Sequence, residues 1–164
     1  MPIEVTQPSD REVRVVRTFK APRTLVWDAH TKPELIQKWM LGPPGWTMPV
    51  CEMDVRVGGA YRWRWRNDAD GKEFGFFGQF TEVTKPSKIA HLETFDPGDV
   101  GGAMTNEPAE VTTTFAEDNG VTSLTVNMRF ASKQTRDMAV GTGMTDGMEI
   151  GYQRLDKIAV DMAQ

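Results

Sequence analysis

The chain has 164 residues, of which 39% are hydrophobic and 26% charged, with one cysteine and a formal net charge of -4. This length predicts a single domain that buries its core without disulfides, since Cys51 has no second cysteine to pair with. The acidic balance argues against nucleic acid as the main partner, and the apolar runs are too short to span a membrane. No secretory signal pattern follows Met1, so a cytoplasmic location is expected.

The chain begins with a segment that predicts little structure. Residues 1–10 are polar and lack periodicity, which is typical of a loose N-terminal arm. Apolar residues alternating with arginine and threonine then predict a first strand over 11–19. A single domain is therefore expected over residues 11–164.

Two short helices are predicted after this strand. Pro22 is placed to begin the first helix, and His30 closes it, where a cation would favour the helix dipole. Thr31 and Glu34 have the spacing of a capping box and predict the start of the second helix. The Gly-Pro-Pro-Gly sequence at 42–45 ends it.

The middle of the chain predicts an antiparallel sheet. Residues 60–66 alternate aromatic and arginine side chains, which places Tyr61, Trp63 and Trp65 on one face and Arg62, Arg64 and Arg66 on the other. Further strands with the same period are predicted over 74–83, 88–95, 110–115 and 123–130. The loops between them are too short for parallel crossovers. Gly58-Gly59 predicts a bulge or a sharp bend before the aromatic strand.

A long C-terminal helix is predicted after Ser132, with small and flexible residues along one side. Because glycines weaken a helix interior, a kink or break is expected between Val140 and Thr145. The residues of the stripe are Met138, Gly141, Met144, Met148, Gly151, Leu155, Ile158 and Met162.

Short motifs spread along the chain are Arg17-Thr18-Phe19-Lys20-Ala21-Pro22, Pro33-Glu34-Leu35, Asp54-Val55-Arg56-Val57-Gly58-Gly59 and Arg136-Asp137. In this order they resemble the START-like (SRPBCC) superfamily, in the branch similar to the C-terminal domain of the activator of the ninety-kilodalton heat-shock ATPase. The resemblance implies an α+β helix-grip fold like that of the birch pollen allergen. In that fold, two short helices follow strand 1 and a curved antiparallel sheet wraps the long C-terminal helix around a cavity.

The aromatic strand and the terminal helix together predict a binding site. Glycines leave space beside the helix and methionines adapt to a ligand, although the same residues also suit a tightly packed core. Since the resemblance implies a cavity, we expect binding or sensing of a small, largely apolar molecule. The predicted wall consists of Trp63, Phe76, Met128, Met144 and Met148. Trp39 and Trp46 flank the loop at 42–45, where one of them would cap the cavity mouth.

His91 is the predicted polar contact of this ligand, with Glu93 on the same strand face. If that face points inward, His91 holds a polar group of the ligand or exchanges a proton with it. If it points outward, both are ordinary surface residues, which is the simpler interpretation. The sequence leaves the orientation open.

Two other functions are compatible with the sequence. The resemblance implies a co-chaperone-like module that modulates a heat-shock ATPase, and the arginine row would dock an acidic protein partner. A cyclase- or hydrolase-like enzyme would instead use His91 with Glu93 as acid and base. No metal site and no cofactor are predicted, because two histidines and one cysteine make no metal cluster and no nucleotide-binding loop occurs. The oligomeric state stays open.

Overall fold

The alternating segments form one antiparallel sheet in the computed structural model, which describes residues 2–99 and 107–163. Its strands are β1 (Glu4–Thr6), β2 (Glu12–Phe19), β3 (Trp46–Met53), β4 (Ala60–Asn67), β5 (Glu73–Thr84), β6 (Lys88–Asp96), β7 (Ala109–Asp118) and β8 (Val121–Arg129). Their order across the sheet is β1-β2-β8-β7-β6-β5-β4-β3. The sheet is curved, and on β2, β4, β7 and β8 the buried side chains alternate onto its concave face.

Four helices complete the described part of the fold: α1 (Arg23–Thr31), α2 (Pro33–Trp39), α3 (Lys133–Gly141) and α4 (Met144–Met162). Gly143 separates α3 from α4 with a left-handed φ of 82°, which confirms the predicted break. No helix among residues 2–99 and 107–163 is long and apolar enough to cross a membrane. The predicted helix-grip fold is confirmed.

The helices cover one part of the concave face, over β2, β7 and β8, and α2 also contacts β3 at the other edge of the sheet. Tyr152 of α4 packs edge-to-face on Phe19 of β2, with ring centroids 5.5 Å apart, and stacks on Trp39 of α2 at 5.7 Å. A Cβ atom at Gly151 would lie 3.0 Å from the Trp39 carbonyl oxygen, whereas one at Gly147 would meet nothing within 4 Å. Close packing of the helix therefore explains the glycine at position 151, whereas Gly147, one turn earlier on α4, has open space beside it.

The start of α2 differs from the prediction. Lys32 is the N-cap residue and makes no side-chain capping bond, while Pro33 occupies the first turn. Thr31 belongs to the last turn of α1, where its hydroxyl donates to the Trp27 carbonyl at 2.9 Å. The capping-box prediction is wrong because the hydroxyl is already used by the preceding helix.

The expected role of His30 as a cation is also wrong. Its ring packs against Trp39 and Phe115, with centroid distances of 4.9 Å and 5.2 Å. Burial lowers the pKa of His30 to about 4, despite a hydrogen bond between its Nδ1 and the Val26 carbonyl oxygen. His30 is therefore neutral at pH 7 and stabilises the fold by packing.

The N-terminal arm, β3 and the irregularities between strands can also be compared with the sequence pattern. Part of the predicted arm is ordered, because Glu4–Thr6 pairs with β2 as a short antiparallel strand. The pattern did not locate β3, which contains Pro49 and a register shift between Thr47 and Val50. Gly58-Gly59 lies in the turn before β4, so the bend is confirmed. The second irregularity of the sheet lies between Phe80 and Glu82.

Candidate functional site

A buried arginine links the C-terminal helix to the sheet through ion pairs. Arg17 lies on β2 among inward-facing apolar residues and is only 3% exposed. Its Nε donates to Glu149 Oε1 at 2.9 Å and its Nη1 to Asp156 Oδ1 at 2.8 Å, both on α4. Burial opposes the charge of Arg17, but the hydrogen bonds that it donates to both carboxylates raise its pKa above the ordinary value. Burial of Glu149 opposes its ionisation, yet the hydrogen bonds of Arg17 and Gln153 hold its pKa below the usual range.

Arg17 begins the motif at residues 17–22, which did not predict this structural role. The available signal was its position, since strand alternation puts Arg17 on the same face as Val15 and Phe19. A charged residue at an inward position needs a buried partner, which predicts carboxylates on whatever packs there.

The other part of the concave face, on β4, β5 and β6, is a wall of aromatic rings. Trp63 lies opposite Phe76, which lies opposite Phe95, so one row of rings crosses three strands. Trp65 stacks on Phe74 at 5.6 Å, and Trp46 extends the wall edge-to-face against Phe74 at 5.3 Å. Trp63 and Trp65 are buried, whereas Trp46, Phe74, Phe76 and Phe95 are only partly buried.

Of the two tryptophans expected near the cavity mouth, Trp39 belongs to the core. It is 3% exposed, and its Nε1 donates to the Ala29 carbonyl oxygen at 2.8 Å.

His91 faces inward, so the simpler interpretation as a surface residue is wrong. It is 8% exposed, and its ring packs against Tyr61, Trp63 and Phe80 with centroid distances of 5.2 Å, 5.9 Å and 6.1 Å. Neither ring nitrogen of His91 has a hydrogen-bond partner within the described part of the chain, and neither does Trp63 Nε1. An unpaired buried polar group costs on the order of 1–3 kcal/mol, so these atoms need an explanation.

Neighbouring polar groups do not satisfy His91. Its Nε2 lies 3.6 Å from Glu93 Oε1, which is too far for a hydrogen bond. The Tyr61 hydroxyl is committed elsewhere, because it donates to the Leu92 carbonyl oxygen at 2.7 Å. It reaches that atom across Gly78, where a Cβ would lie 3.1 Å from the hydroxyl and collide with the Leu92 carbonyl. Burial, assisted by the charge of Glu93, raises the pKa of Tyr61 and keeps the phenol neutral.

The remaining predicted wall residues are more dispersed. Met128 on β8 is 6% exposed and lies in the same cross-strand row as His91, separated from it by Val111. Met144 and Met148, in the first part of α4, are partly buried against the core. The structure thus brings Trp63, Phe76 and His91 together, while the methionines line the core farther along.

A small cleft of about 20 Å³ opens beside this aromatic wall. Phe76 is the one predicted wall residue that lines it. The other residues around it are Glu93, Phe95, Glu107, Ala109, Phe130 and Thr135. A wider depression of about 560 Å³ borders Lys133, Gln134, Asp137 and Met138, but those residues belong to one helix and the depression is open to solvent.

The arginine row lies on the convex face, as the alternation predicts. Arg62 and Arg66 are exposed, whereas Arg64 is half-buried and bonded to Glu73 and Asp96 at 3.0 Å and 2.7 Å. Within residues 2–99 and 107–163, no three histidine, cysteine or acidic side chains come together as metal ligands would. Burial raises the pKa of Cys51 to about 11, so its thiol stays protonated and is a poor nucleophile.

Comparison with solved structures supports the fold. A protein from Rhodobacter sphaeroides has a TM-score of 0.87 and 25% identity, over 98% of this chain and 99% of that one. A Mycobacterium smegmatis protein has a TM-score of 0.83 and 23% identity, over 96% of each chain. The AHSA1-like protein from Aeromonas hydrophila has a TM-score of 0.68 and 18% identity, over 88% of this chain and 93% of that one.

No curated protein matches the sequence. The family model described as "Activator of Hsp90 ATPase homolog 1-like protein" matches residues 20–159, which is most of the chain. This protein therefore belongs to the Activator of Hsp90 ATPase homolog 1-like family.

Proposed function

We propose that this protein binds a small, largely apolar molecule against the aromatic wall of its concave face. The observation that carries the proposal is the set of unpaired buried atoms, His91 Nδ1, His91 Nε2 and Trp63 Nε1. A neutral imidazole offers one donor and one acceptor, and an indole offers one donor. A ligand with a hydroxyl or carbonyl group would pair with them, while its apolar part covers the partly exposed rings.

The apolar contacts support the same assignment. Phe76 lies opposite Trp63 in register and remains partly exposed, so a bound molecule would remove its ring from water. Met128, Met144 and Met148 would extend the wall, since thioether side chains adjust to irregular ligands at little cost.

Native mass spectrometry of the freshly purified protein tests for a retained small molecule. Binding of the neutral dye N-phenyl-1-naphthylamine, followed by fluorescence, provides a quantitative assay. Phe76→Leu should weaken dye binding about fivefold, because it removes an aromatic surface that the dye contacts. Phe77→Leu is the matched control, since Phe77 is the next residue of β5, 46% exposed on the convex face.

The proposal requires the two variants to differ. If the dye fails to bind, or if both variants bind it as the wild type does, the concave face is not the binding site. A retained molecule that is consumed over time in the purified protein would instead indicate an enzyme that uses His91 and Glu93.

A second candidate function is a co-chaperone-like interaction with a heat-shock ATPase. The observation that favours it is a convex patch in which exposed Arg62 lies opposite Phe77, with exposed Arg66 on the same strand. Such a combination of cation and aromatic ring is typical of protein interfaces. The test measures the ATPase rate of a purified heat-shock ATPase with and without this protein. A rate change that Arg62→Glu abolishes and Arg14→Glu preserves would support it, and an unchanged rate would contradict it.

A further inference from the structure

The small cleft beside the aromatic wall is negatively charged. It lies between β5, β6 and β7 and the first turn of α3, and its lining includes the carboxylates of Glu93 and Glu107. No lysine or arginine lines it within the described part of the chain. The backbone N–H of Thr135, in the first turn of α3, is not free to bind an anion there, because it donates to Ser132 Oγ at 3.1 Å.

Glu93 has room for a partner but accepts no hydrogen bond from the described residues. Its neighbours in register are Gly78 on β5 and Ala109 on β7, so small side chains flank it on both strands. Its own side chain is only 21% exposed. A partly buried carboxylate without a donor is costly, and a cation would offset this cost.

His91, which lies beside Glu93 without lining the cleft itself, gives an independent indication of a missing partner. Its ring is buried with both nitrogens unpaired, and Nε2 faces Glu93 Oε1 across 3.6 Å. Neutral imidazole carries one acceptor nitrogen, and an ammonium group carries three donors. Glu93 and Glu107 supply acceptor groups in the lining of the cleft, and the unpaired Nε2 of His91 lies directly beside Glu93.

The size of the cleft and the aromatic rings that line it restrict the kind of cation that can bind there. A volume of about 20 Å³ accommodates one water-sized group, which suits a primary ammonium and excludes a trimethylammonium head. The rings of Phe76, Phe95 and Phe130 line the cleft, and the first two are edge-to-face with centroids 5.5 Å apart. Aromatic faces attract cations as well as apolar groups.

We infer that the apolar ligand carries a primary amine, whose ammonium group binds to Glu93 and Glu107, next to His91, while its apolar body lies on the aromatic wall. This inference rests on the proposed function, because it names the chemical class of the ligand that the concave face binds. The cleft then selects among apolar molecules by charge.

Three probes that differ in their polar group test it: 2-phenylethylamine, 2-phenylethanol and 3-phenylpropionate. Their dissociation constants are measured at pH 7 and constant ionic strength by two-dimensional amide NMR titration, which also maps the site. The ammonium probe should bind about tenfold more tightly than the alcohol, and the carboxylate most weakly.

Charge-neutralising variants provide the control within the protein. Glu93→Gln and Glu107→Gln should each reduce the preference for the amine over the alcohol to about threefold or less, because each removes a negative charge that pairs with the ammonium group and not with the alcohol. Glu110→Gln is the matched control, since Glu110 is exposed on β7 beside inward-facing Ala109, and it should preserve the preference.

The possible results separate a failure of the amine inference from a failure of the proposed binding function. Equal affinities for amine and alcohol at the aromatic wall, or a preference that survives both glutamine variants, would overturn the amine inference and leave the apolar binding function standing. Absence of binding by all three probes also overturns the inference. The proposed function itself is then decided by the separate dye assay with Phe76→Leu and Phe77→Leu.

Discussion

Buried polar groups have hydrogen-bond partners in one part of the concave face and lack them in the other. In the helix-covered part, over β2, β7 and β8, Arg17 is paired with two carboxylates and the Thr122 hydroxyl donates to the Ala21 carbonyl oxygen at 2.7 Å. In the aromatic part, on β4 to β6, His91 and Trp63 are also buried, each 8% exposed, but have unpaired nitrogens.

The difference separates structural burial from burial for binding. Paired groups in the helix-covered part hold elements together and leave nothing for a ligand to add. Unpaired groups in the aromatic part lower stability unless something else pairs with them, which is the expected compromise at a binding site. Burial alone therefore does not identify the site, whereas the combination of burial and missing partners does.

The largest effect is expected from breaking the charge cluster of the helix-covered part. Arg17→Ala leaves the mostly buried Glu149 of α4 without its cation, and should lower the free energy of unfolding by about 3 kcal/mol. Urea denaturation followed by circular dichroism measures this change. Arg14→Ala is the control, since Arg14 is exposed on the same strand with one hydrogen bond to Asn127, and should cost less than about 1 kcal/mol. Equal effects of the two variants would contradict a clamping role for Arg17.

A smaller effect in the same part should depend on pH. Burial lowers the pKa of His30 from 6.5 to about 4, so the unfolded chain takes up its proton first as the pH falls. The contribution of neutral His30 to the free energy of unfolding is therefore complete above pH 6.5 and is lost as the pH falls towards 4. Between pH 7 and 4.5 the wild type should lose about 2 kcal/mol more stability than His30→Gln.

The two proteins should behave nearly in parallel between pH 8 and 7, because His30 is mostly unprotonated there in both the folded and the unfolded state. If their stabilities also run parallel from pH 7 to 4.5, His30 is not held neutral by the fold.

The sequence predicted the fold well where local signals agreed with tertiary packing. The break at Gly143 followed from glycines that weaken a helix, and the inward face of β4 followed from strict alternation of aromatic and arginine residues. It failed at β3, where Pro49 and a register shift interrupt the alternation. It also failed at Thr31, whose spacing to Glu34 suits a cap although the hydroxyl bonds within α1.

The candidate site was only partly predictable because it depends on register between strands. Leu92 and His91 alternate, so the sequence alone favours the leucine inside, yet the pairing of His91 with Phe80 and Val111 turns the imidazole inward. Glu93 and Glu107 reach one cleft through pairing of β6 with β7 and the adjoining segment, which no local pattern records.

The smallest expected effect tests the comparison most directly, because substitutions of two neighbouring side chains should change the free energy of unfolding in opposite directions. His91→Leu removes unpaired buried nitrogens and should raise the free energy of unfolding of the ligand-free protein by about 1 kcal/mol. Tyr61→Phe removes a hydroxyl that donates to the Leu92 carbonyl oxygen, and should lower that free energy by about 1 kcal/mol. Urea denaturation under identical conditions measures both. If His91→Leu destabilises the protein as much as Tyr61→Phe, the imidazole is a paired structural group. The aromatic part of the face would then be ordinary core rather than a surface kept incomplete for a ligand.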